Sequence, residues 1–188
     1  EGEESFHEIL AERLQASPDY SRIAGITINN GSEAIRTAPR PRIKNIQECP
    51  SPYLDGSFDE LMAANVYGLS YNAIVESARG CPFSCAFCEI GEKYYSKVRY
   101  SHEKTKREVD WIAANKIEYV TDANSNYGLS YDADHDLACY VRDVKSQHQY
   151  PEAYRVTWVK GRADRALSIA KIFEDCGAQK GMTIALQS

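Results

Sequence analysis

The chain has 188 residues, of which 43% are hydrophobic and 26% are charged, and its net charge at pH 7 is −5. This acidic balance gives no general electrostatic attraction to nucleic acid or to anionic lipid, and no apolar run approaches the ~20 residues that span a bilayer. The N-terminus lacks the basic and apolar pattern of a signal peptide. We therefore expect a soluble globular protein of the cytoplasm, with enough apolar residues to fill one core.

The first 47 residues predict a helix followed by a hairpin. Apolar residues recur at helical spacing until Ser17 and Pro18 end the pattern. These apolar positions are Phe6, Ile9, Leu10 and Leu14. Residues 23–28 and 33–37 then have the composition of two strands, and the Asn-Asn-Gly sequence between them is typical of a tight turn.

A proline-rich stretch follows the predicted hairpin. Residues 38–57 contain four of the seven prolines of the chain, and this density predicts a linker with little regular structure. We place the linker at residues 48–71, between an N-terminal part at 1–47 and a larger domain at 72–188.

From residue 72 onward the sequence alternates between predicted strands and predicted helices. The strands are expected at residues 72–77, 117–121, 154–159 and 182–186. Ser101 and Asp132 are candidate caps for the first two intervening helices, and Gly177 stands where the third helix would end. This order indicates an α/β fold with a parallel sheet, in which ligands bind at the carboxyl ends of the strands. We therefore expect a functional site in the loop after the first of these strands.

Three of the six cysteines lie in that loop. Cys81, Cys85 and Cys88 have C-x3-C-x2-C spacing, and the scattered positions of the other three disfavour a disulfide framework. Zinc usually takes a fourth protein ligand, for which a distant His102 is the candidate. An iron–sulfur cluster suits the spacing better, because three thiolates leave one iron open to another ligand. A cysteine patch without metal is the third alternative.

The segment 79–88, RGCPFSCAFC, resembles the signature of radical S-adenosylmethionine (SAM) enzymes. The sequence at 1–3 with its following helix is similar to the end of a cobalamin-binding domain in the cobalamin-linked branch of that superfamily. Residues 50–54 resemble the linker of that branch, and residues 181–188 resemble its fourth barrel strand. The resemblance implies a partial (β/α) barrel, preceded by a remnant of a cobalamin-binding domain. We accordingly expect the chain to be a fragment truncated at both ends.

The resemblance also implies a site and its chemistry. The three cysteines of the motif would hold a 4Fe–4S cluster, and one electron from it would cleave SAM to methionine and a 5′-deoxyadenosyl radical. The residues implied to contact SAM are Phe87 beside the adenine, Asp122 and Asn124 at the amino group, and Gln187 and Ser188 at the ribose and carboxylate. The family further implies cobalamin, a modification such as methylation, and an electron donor such as flavodoxin or ferredoxin.

Some of these residues also have a purely structural interpretation. Phe87 could be ordinary loop packing, Asp122 an Asx turn or a helix cap, and residues 187–188 a polar strand end. A basic run is interpreted as a solvated helix face rather than an anion site. It consists of Lys93, Lys97, Arg99, Lys104, Lys106 and Arg107. Cys139, Cys176 and the four histidines are expected to be structural or surface residues, and Cys49 has no assignment.

Two further functions stay open at this point. One is a methylthiotransferase-like radical SAM enzyme without cobalamin, and the other is a non-enzymatic zinc-binding module. We expect neither a membrane nor a nucleic-acid partner, and the sequence does not name a substrate.

Overall fold

A computed structural model describes residues 1–182, which divide into two compact units: Glu1–Lys44 and a second unit that begins at Asn45. The first unit contains helix α1 (Glu3–Arg13) and the antiparallel strands β1 (Thr27–Asn29) and β2 (Ala34–Arg36). The predicted helix and hairpin are thus confirmed, both shorter than expected. The predicted apolar stripe is not buried in the structure, since Phe6 of α1 is 62% exposed and Leu14, which follows α1, is 86% exposed.

The second unit is built around a parallel sheet. Its elements are α2 (Asp59–Ala63), β3 (Asn72–Val75), β4 (Ala78–Arg79), β5 (Arg99–Tyr100), α3 (His102–Ala114), β6 (Tyr119–Asp122), α4 (Tyr131–His148), β7 (Ala153–Arg155) and α5 (Ala163–Asp175). The sheet order is β3-β6-β7, with both neighbouring pairs parallel. The predicted α/β fold with a parallel sheet is therefore confirmed for three strands. The predicted fourth strand lies outside the described residues, apart from Met182.

The two faces of this sheet differ sharply in burial. Ala73, Val120 and Tyr154 occupy one row across the sheet and are buried beneath α3, α4 and α5. In the next row Ile74 is 65% exposed, and its register partners Thr121 and Arg155 are exposed as well. Strand residues alternate between faces, so the helices cover one face of the three strands.

The third strand is shorter than predicted. It ends at Arg155, which pairs with Thr121, one residue before the end of β6. Pairing resumes at Trp158, which forms an isolated parallel bridge with Tyr127. The amide of Tyr127 donates to the carbonyl of Thr157 at 2.8 Å. The predicted strand over 154–159 is therefore one short strand followed by a single bridge.

The helices occur where predicted, but α3 and α4 do not begin with the predicted side-chain caps. Ser101 precedes α3 without capping it, because its hydroxyl donates to the carbonyl of Glu76 instead. Asp132 lies inside α4, which begins at Tyr131. The predicted end of α5 is confirmed, since Gly177 follows it with φ of +70°. Within residues 1–182, none of the helices has both the length and the apolar character needed to cross a membrane.

The part of the second unit that precedes β3 packs against α3 through aromatic rings. The ring centroid of Tyr53 lies 5.3 Å from that of Phe58 and 5.4 Å from that of Trp111 on α3. The Tyr53 hydroxyl accepts a hydrogen bond from the Ile74 amide at 3.0 Å and donates one to the Ile74 carbonyl at 2.9 Å. The predicted linker has little regular structure beyond α2, yet its aromatic side chains fix it to α3 and to the outer side of β3.

Candidate functional site

The three clustered cysteines lie in an excursion between β4 and β5, which we call the cysteine loop (residues 80–98). The two short strands close its base, with Ala78 opposite Tyr100 and Arg79 opposite Arg99. Gly80 begins the loop with φ of +119°, and a Cβ there would lie 2.7 Å from the carbonyl oxygen of Lys97. Glycine is therefore required at this position for both conformation and space.

Within the cysteine loop the three cysteines differ in exposure. Cys81 is buried, and its amide donates to the carbonyl of Tyr95 at 3.0 Å. Cys85 and Cys88 are half-buried, and a tight turn joins them through the Cys88 amide and the Cys85 carbonyl at 3.0 Å. A Cβ at Gly91 would lie 2.8 Å from the carbonyl oxygen of Cys85. The backbone therefore folds back closely on the segment that contains the thiols.

The segment from the last residue of β6 to the start of α4, which we call the β6 loop (residues 122–130), begins with two consecutive Asx turns. The Asp122 carboxylate accepts from the Asn124 amide at 3.0 Å, and the Asn124 side-chain oxygen accepts from the Asn126 amide at 2.9 Å. Asn126 then donates from its Nδ2 to the sulfur of Cys81 at 3.2 Å. The ends of β3 and β6 thus meet at one edge of the sheet, as the parallel arrangement predicted.

Asp122 faces the helix-covered side of the sheet and is buried. Its carboxylate accepts hydrogen bonds from the Ser77 amide at 3.1 Å and from the Tyr154 hydroxyl at 3.0 Å, in addition to the Asn124 amide. Burial raises the pKa of the Asp122 carboxyl, although these hydrogen bonds act in the opposite direction. The Asx turn considered for Asp122 is present. Its contact with SAM, and that of the equally buried Asn124, stays a prediction.

A second buried carboxylate anchors the other end of the β6 loop. Asp134 of α4 accepts from the amides of Gly128 at 2.8 Å and Ser130 at 3.1 Å. Its other oxygen lies 2.9 Å from Nε2 of His102, whose ring stacks on Tyr100. His102, the candidate fourth zinc ligand, thus joins the start of α3 to the β6 loop.

Lys160, which follows β7, contacts the cysteine loop from the third strand end. Its Nζ donates to the sulfur of Cys85 at 3.2 Å and lies 5.6 Å from the ring centroid of Phe83. Neither Lys160 nor Asn126 was predicted from the sequence as a site residue. The available signal was their position, because each follows a parallel strand that ends at the same edge of the sheet as the cysteine loop.

The remaining predicted site residues are less well enclosed or lie elsewhere. Phe87 is 77% exposed in the cysteine loop. Gln187 and Ser188 lie outside the described residues. The interpretation of the basic run as a solvated face is wrong for Arg99 and Lys104, which are buried. Lys104 donates from Nζ to the carbonyl of Ile46 at 3.0 Å, so the run partly serves to fix the chain before α3.

The donor set of the cysteine loop fits an iron–sulfur cluster. Three thiols lie within eight residues, and side-chain N–H groups donate to the sulfurs of Cys81 and Cys85. Across residues 1–182, no three His, Cys, Asp or Glu side chains converge as the ligands of one ion would. The thiolates of a cluster bind different irons, so they need not converge on a single point. Cys81, Cys85 and Cys88 are accordingly the residues that could hold such a group.

No protein-family model matches the chain. The chain is 35% identical to the 2-(S-pantetheinyl)-carbapenam-3-carboxylate methyltransferase of Streptantibioticus cattleyicolor, and 33% identical to the cobalamin-dependent radical SAM methyltransferase TokK of Streptomyces tokunonensis. Both matches cover the whole of this chain and 28% of the relative. The chain therefore spans little more than a quarter of the length of these relatives.

A solved structure is similar over the whole chain as well. It is the cobalamin-dependent S-adenosylmethionine radical enzyme OxsB with aqua-cobalamin and S-adenosylmethionine bound, which matches with a TM-score of 0.61 and 18% identity over 27% of its own chain. At this identity the similarity supports the fold alone.

Proposed function

The chain is homologous along its whole length to two methyltransferases, one of them a cobalamin-dependent radical SAM enzyme, and from this premise we propose that it contributes the cluster-binding part of a radical SAM enzyme that performs a cobalamin-dependent methylation. The resemblance recognised in the sequence is thereby confirmed. The further steps, from family to cluster, cofactors and reaction, are our proposal for this chain.

The observation that most supports the proposal is the position of the cysteine loop. It follows the first strand of a parallel sheet and lies at the carboxyl end of that strand, where α/β folds bind their ligands. We assign Cys81, Cys85 and Cys88 as the ligands of a 4Fe–4S cluster. Such a cluster supplies the electron for the reductive cleavage of SAM to a 5′-deoxyadenosyl radical.

The surrounding residues then have distinct proposed roles. Phe87 presents an exposed ring next to the last cysteine, which suits stacking on an adenine. Asp122 and Asn124 hold the β6 loop in the shape that places Asn126 against the sulfur of Cys81. A SAM amino group bound at Asp122 or Asn124 would share side-chain oxygens that already accept hydrogen bonds from backbone amides of the loop. Gln187 and Ser188 remain proposed contacts to the ribose and carboxylate.

The proposal extends to the division of the chain. We assign residues 72–188 to the first part of a radical SAM barrel, residues 48–71 to a linker and residues 1–47 to the end of a cobalamin-binding domain. One relative acts on a carbapenam carboxylate, as its name states. For this chain we propose methylation as the type of reaction and assign no substrate.

Anaerobic reconstitution with iron and sulfide tests the proposal. The protein should bind iron and sulfide, absorb broadly in the visible range as thiolate-bound clusters do, and bleach on reduction. Ser substitution at Cys81, Cys85 or Cys88 should abolish iron binding. Cys139→Ser is the matched control and should retain iron binding, because Cys139 lies on α4, outside the cysteine loop. Its sulfur is 3.7 Å from Nδ1 of His135 on the same helix.

Two results would contradict the proposal. Zinc without sulfide in the purified protein would favour the zinc-binding module instead. An equal loss of iron in Cys139→Ser and in the three loop variants would show that the substitutions act through folding rather than through ligation.

A further inference from the structure

We propose that Asn126 and Lys160 are the side chains that set the reduction potential of the bound cluster, by donating hydrogen bonds to the sulfurs of two of its ligands. The inference rests on the proposed function, because it needs a cluster on the cysteine loop. It goes further by naming two residues, neither of them part of the cysteine motif, that act on the cluster through the sulfurs of Cys81 and Cys85.

Asn126 is fixed in the orientation that the proposal needs. The residue is 2% exposed, and its backbone N–H donates a hydrogen bond to the side-chain oxygen of Asn124 at 2.9 Å. Its Nδ2 donates to the sulfur of Cys81 at 3.2 Å. The opposite rotamer would direct Oδ1 at a thiolate, and two acceptors repel each other. In the described part of the chain Oδ1 is buried without a hydrogen-bond partner, so the sulfur contact is what the buried amide gains.

Lys160 reaches the second sulfur from the other neighbouring strand. Its Nζ donates to Cys85 at 3.2 Å, and the same ammonium lies over the ring of Phe83, two residues earlier in the cysteine loop. Two contacts with one short segment hold the lysine in place. Lys160 therefore offers the sulfur a positive charge as well as an N–H donor.

Both residues should act in the same direction on the cluster. Reduction adds negative charge to a cluster and its sulfurs, and hydrogen bonds to those sulfurs are one of the determinants of its potential. An N–H donor or a cation beside the sulfur stabilises the reduced state more than the oxidised state. Asn126 and Lys160 should therefore make the cluster easier to reduce.

Redox titration of the reconstituted protein, followed by electron paramagnetic resonance, tests this. In Lys160→Met the midpoint potential should become more negative by about 59 mV. For a one-electron reduction, this shift lowers the ratio of reduced to oxidised cluster tenfold at a given applied potential. Lys160→Arg should retain most of the wild-type potential. Asn126→Asp should also shift it to more negative values, because a carboxylate replaces the donor at nearly the same volume. Lys171→Met, which removes an exposed charge on α5, is the control.

The outcomes separate this inference from the proposed function. A wild-type protein that binds no iron–sulfur cluster would contradict the proposed function itself. A full cluster with an unchanged potential in both Lys160→Met and Asn126→Asp would overturn the inference alone. Where Lys160→Met loses iron, Lys160→Gln retains a donor without the charge. If Lys160→Gln also loses iron, the lysine only holds the loop and the inference is wrong for this residue. If Lys160→Gln binds a full cluster, its potential should be no more positive than that of the wild type, and a more positive potential would overturn the inference.

Discussion

The cysteine loop and the β6 loop follow neighbouring strands and touch each other, yet they are built in opposite ways. In the β6 loop Asn124, Asn126 and Tyr127 are buried, and its side chains bond to its own backbone. In the cysteine loop only Cys81 is comparably enclosed, and Phe87 is largely exposed. The loop that is proposed to bind the cluster is thus the less enclosed of the two.

This difference indicates that the two loops have different roles in the site. The β6 loop is bonded to Ser77 and Tyr154 through Asp122 and is therefore fixed without any ligand. The contacts of the cysteine loop include the two short strands at its base and the side chains of Asn126 and Lys160. Metal binding often supplies folding free energy to a segment that lacks its own core. We therefore expect changes in the β6 loop to reduce global stability, and changes in the cysteine loop to reduce iron binding.

The largest expected effect on stability comes from the β6 loop. Asp134→Ala should lower the free energy of unfolding by about 3 kcal/mol, because the amides of Gly128 and Ser130 and the ring of His102 lose a buried partner together. Urea denaturation measures the change. Asp132→Ala is the matched control, since it removes an exposed aspartate from the same helix turn and should change stability by less than about 0.5 kcal/mol. Similar losses in the two variants would contradict the contrast between the loops.

Gly80→Ala should lower the free energy of unfolding less than Asp134→Ala does, but it should strongly reduce iron binding. A Cβ at Gly80 would collide with the carbonyl oxygens of Tyr95 and Lys97 in a backbone conformation that alanine rarely adopts. The free energy of unfolding should fall by about 2 kcal/mol, and iron binding should be severely reduced. Gly161→Ala, which also has positive φ but open space around it, should cost about 1 kcal/mol and retain iron. Full iron binding in Gly80→Ala would show that the base of the cysteine loop does not position the ligands.

The smallest expected effect is on the way in which stability depends on pH, and it comes from the Asp122 carboxyl. Burial raises the pKa of this carboxyl in the folded state, so the folded protein binds the proton more tightly than the unfolded chain, where the pKa of aspartate is about 3.9. Stability should therefore fall as the pH rises from about 4 through the raised pKa. Asp122→Asn should weaken this fall, and the exposed-site control Asp132→Asn should not.

Some of the fall should persist in Asp122→Asn. Burial also raises the pKa of Glu108 on α3, and that group would still titrate. Urea denaturation across the pH range measures the slope in each protein. An identical slope in wild type and Asp122→Asn would mean that the Asp122 carboxyl is not desolvated in the folded protein.

The order of the elements and the cysteine motif could be predicted from the sequence, because both depend on local spacing. The orientation of Asp122 could have been suspected from strand alternation, since Val120 and Asp122 must share a face. The contacts of Asn126 and Lys160 depend on loop conformations and on the register between strands, which no local pattern specifies. The burial of Lys104 was missed for a related reason, because its partner Ile46 lies far away in the sequence.

The hydroxyl of Tyr53 has a consequence for the behaviour of the protein at high concentration. An edge strand with unpaired backbone groups is a template on which the strand of another molecule can add. In β3 the amide and carbonyl of Ile74 point away from β6, and Tyr53 occupies both. One phenol therefore occupies the outward-facing backbone groups of Ile74, and we expect it to oppose the addition of another strand to β3 at that residue.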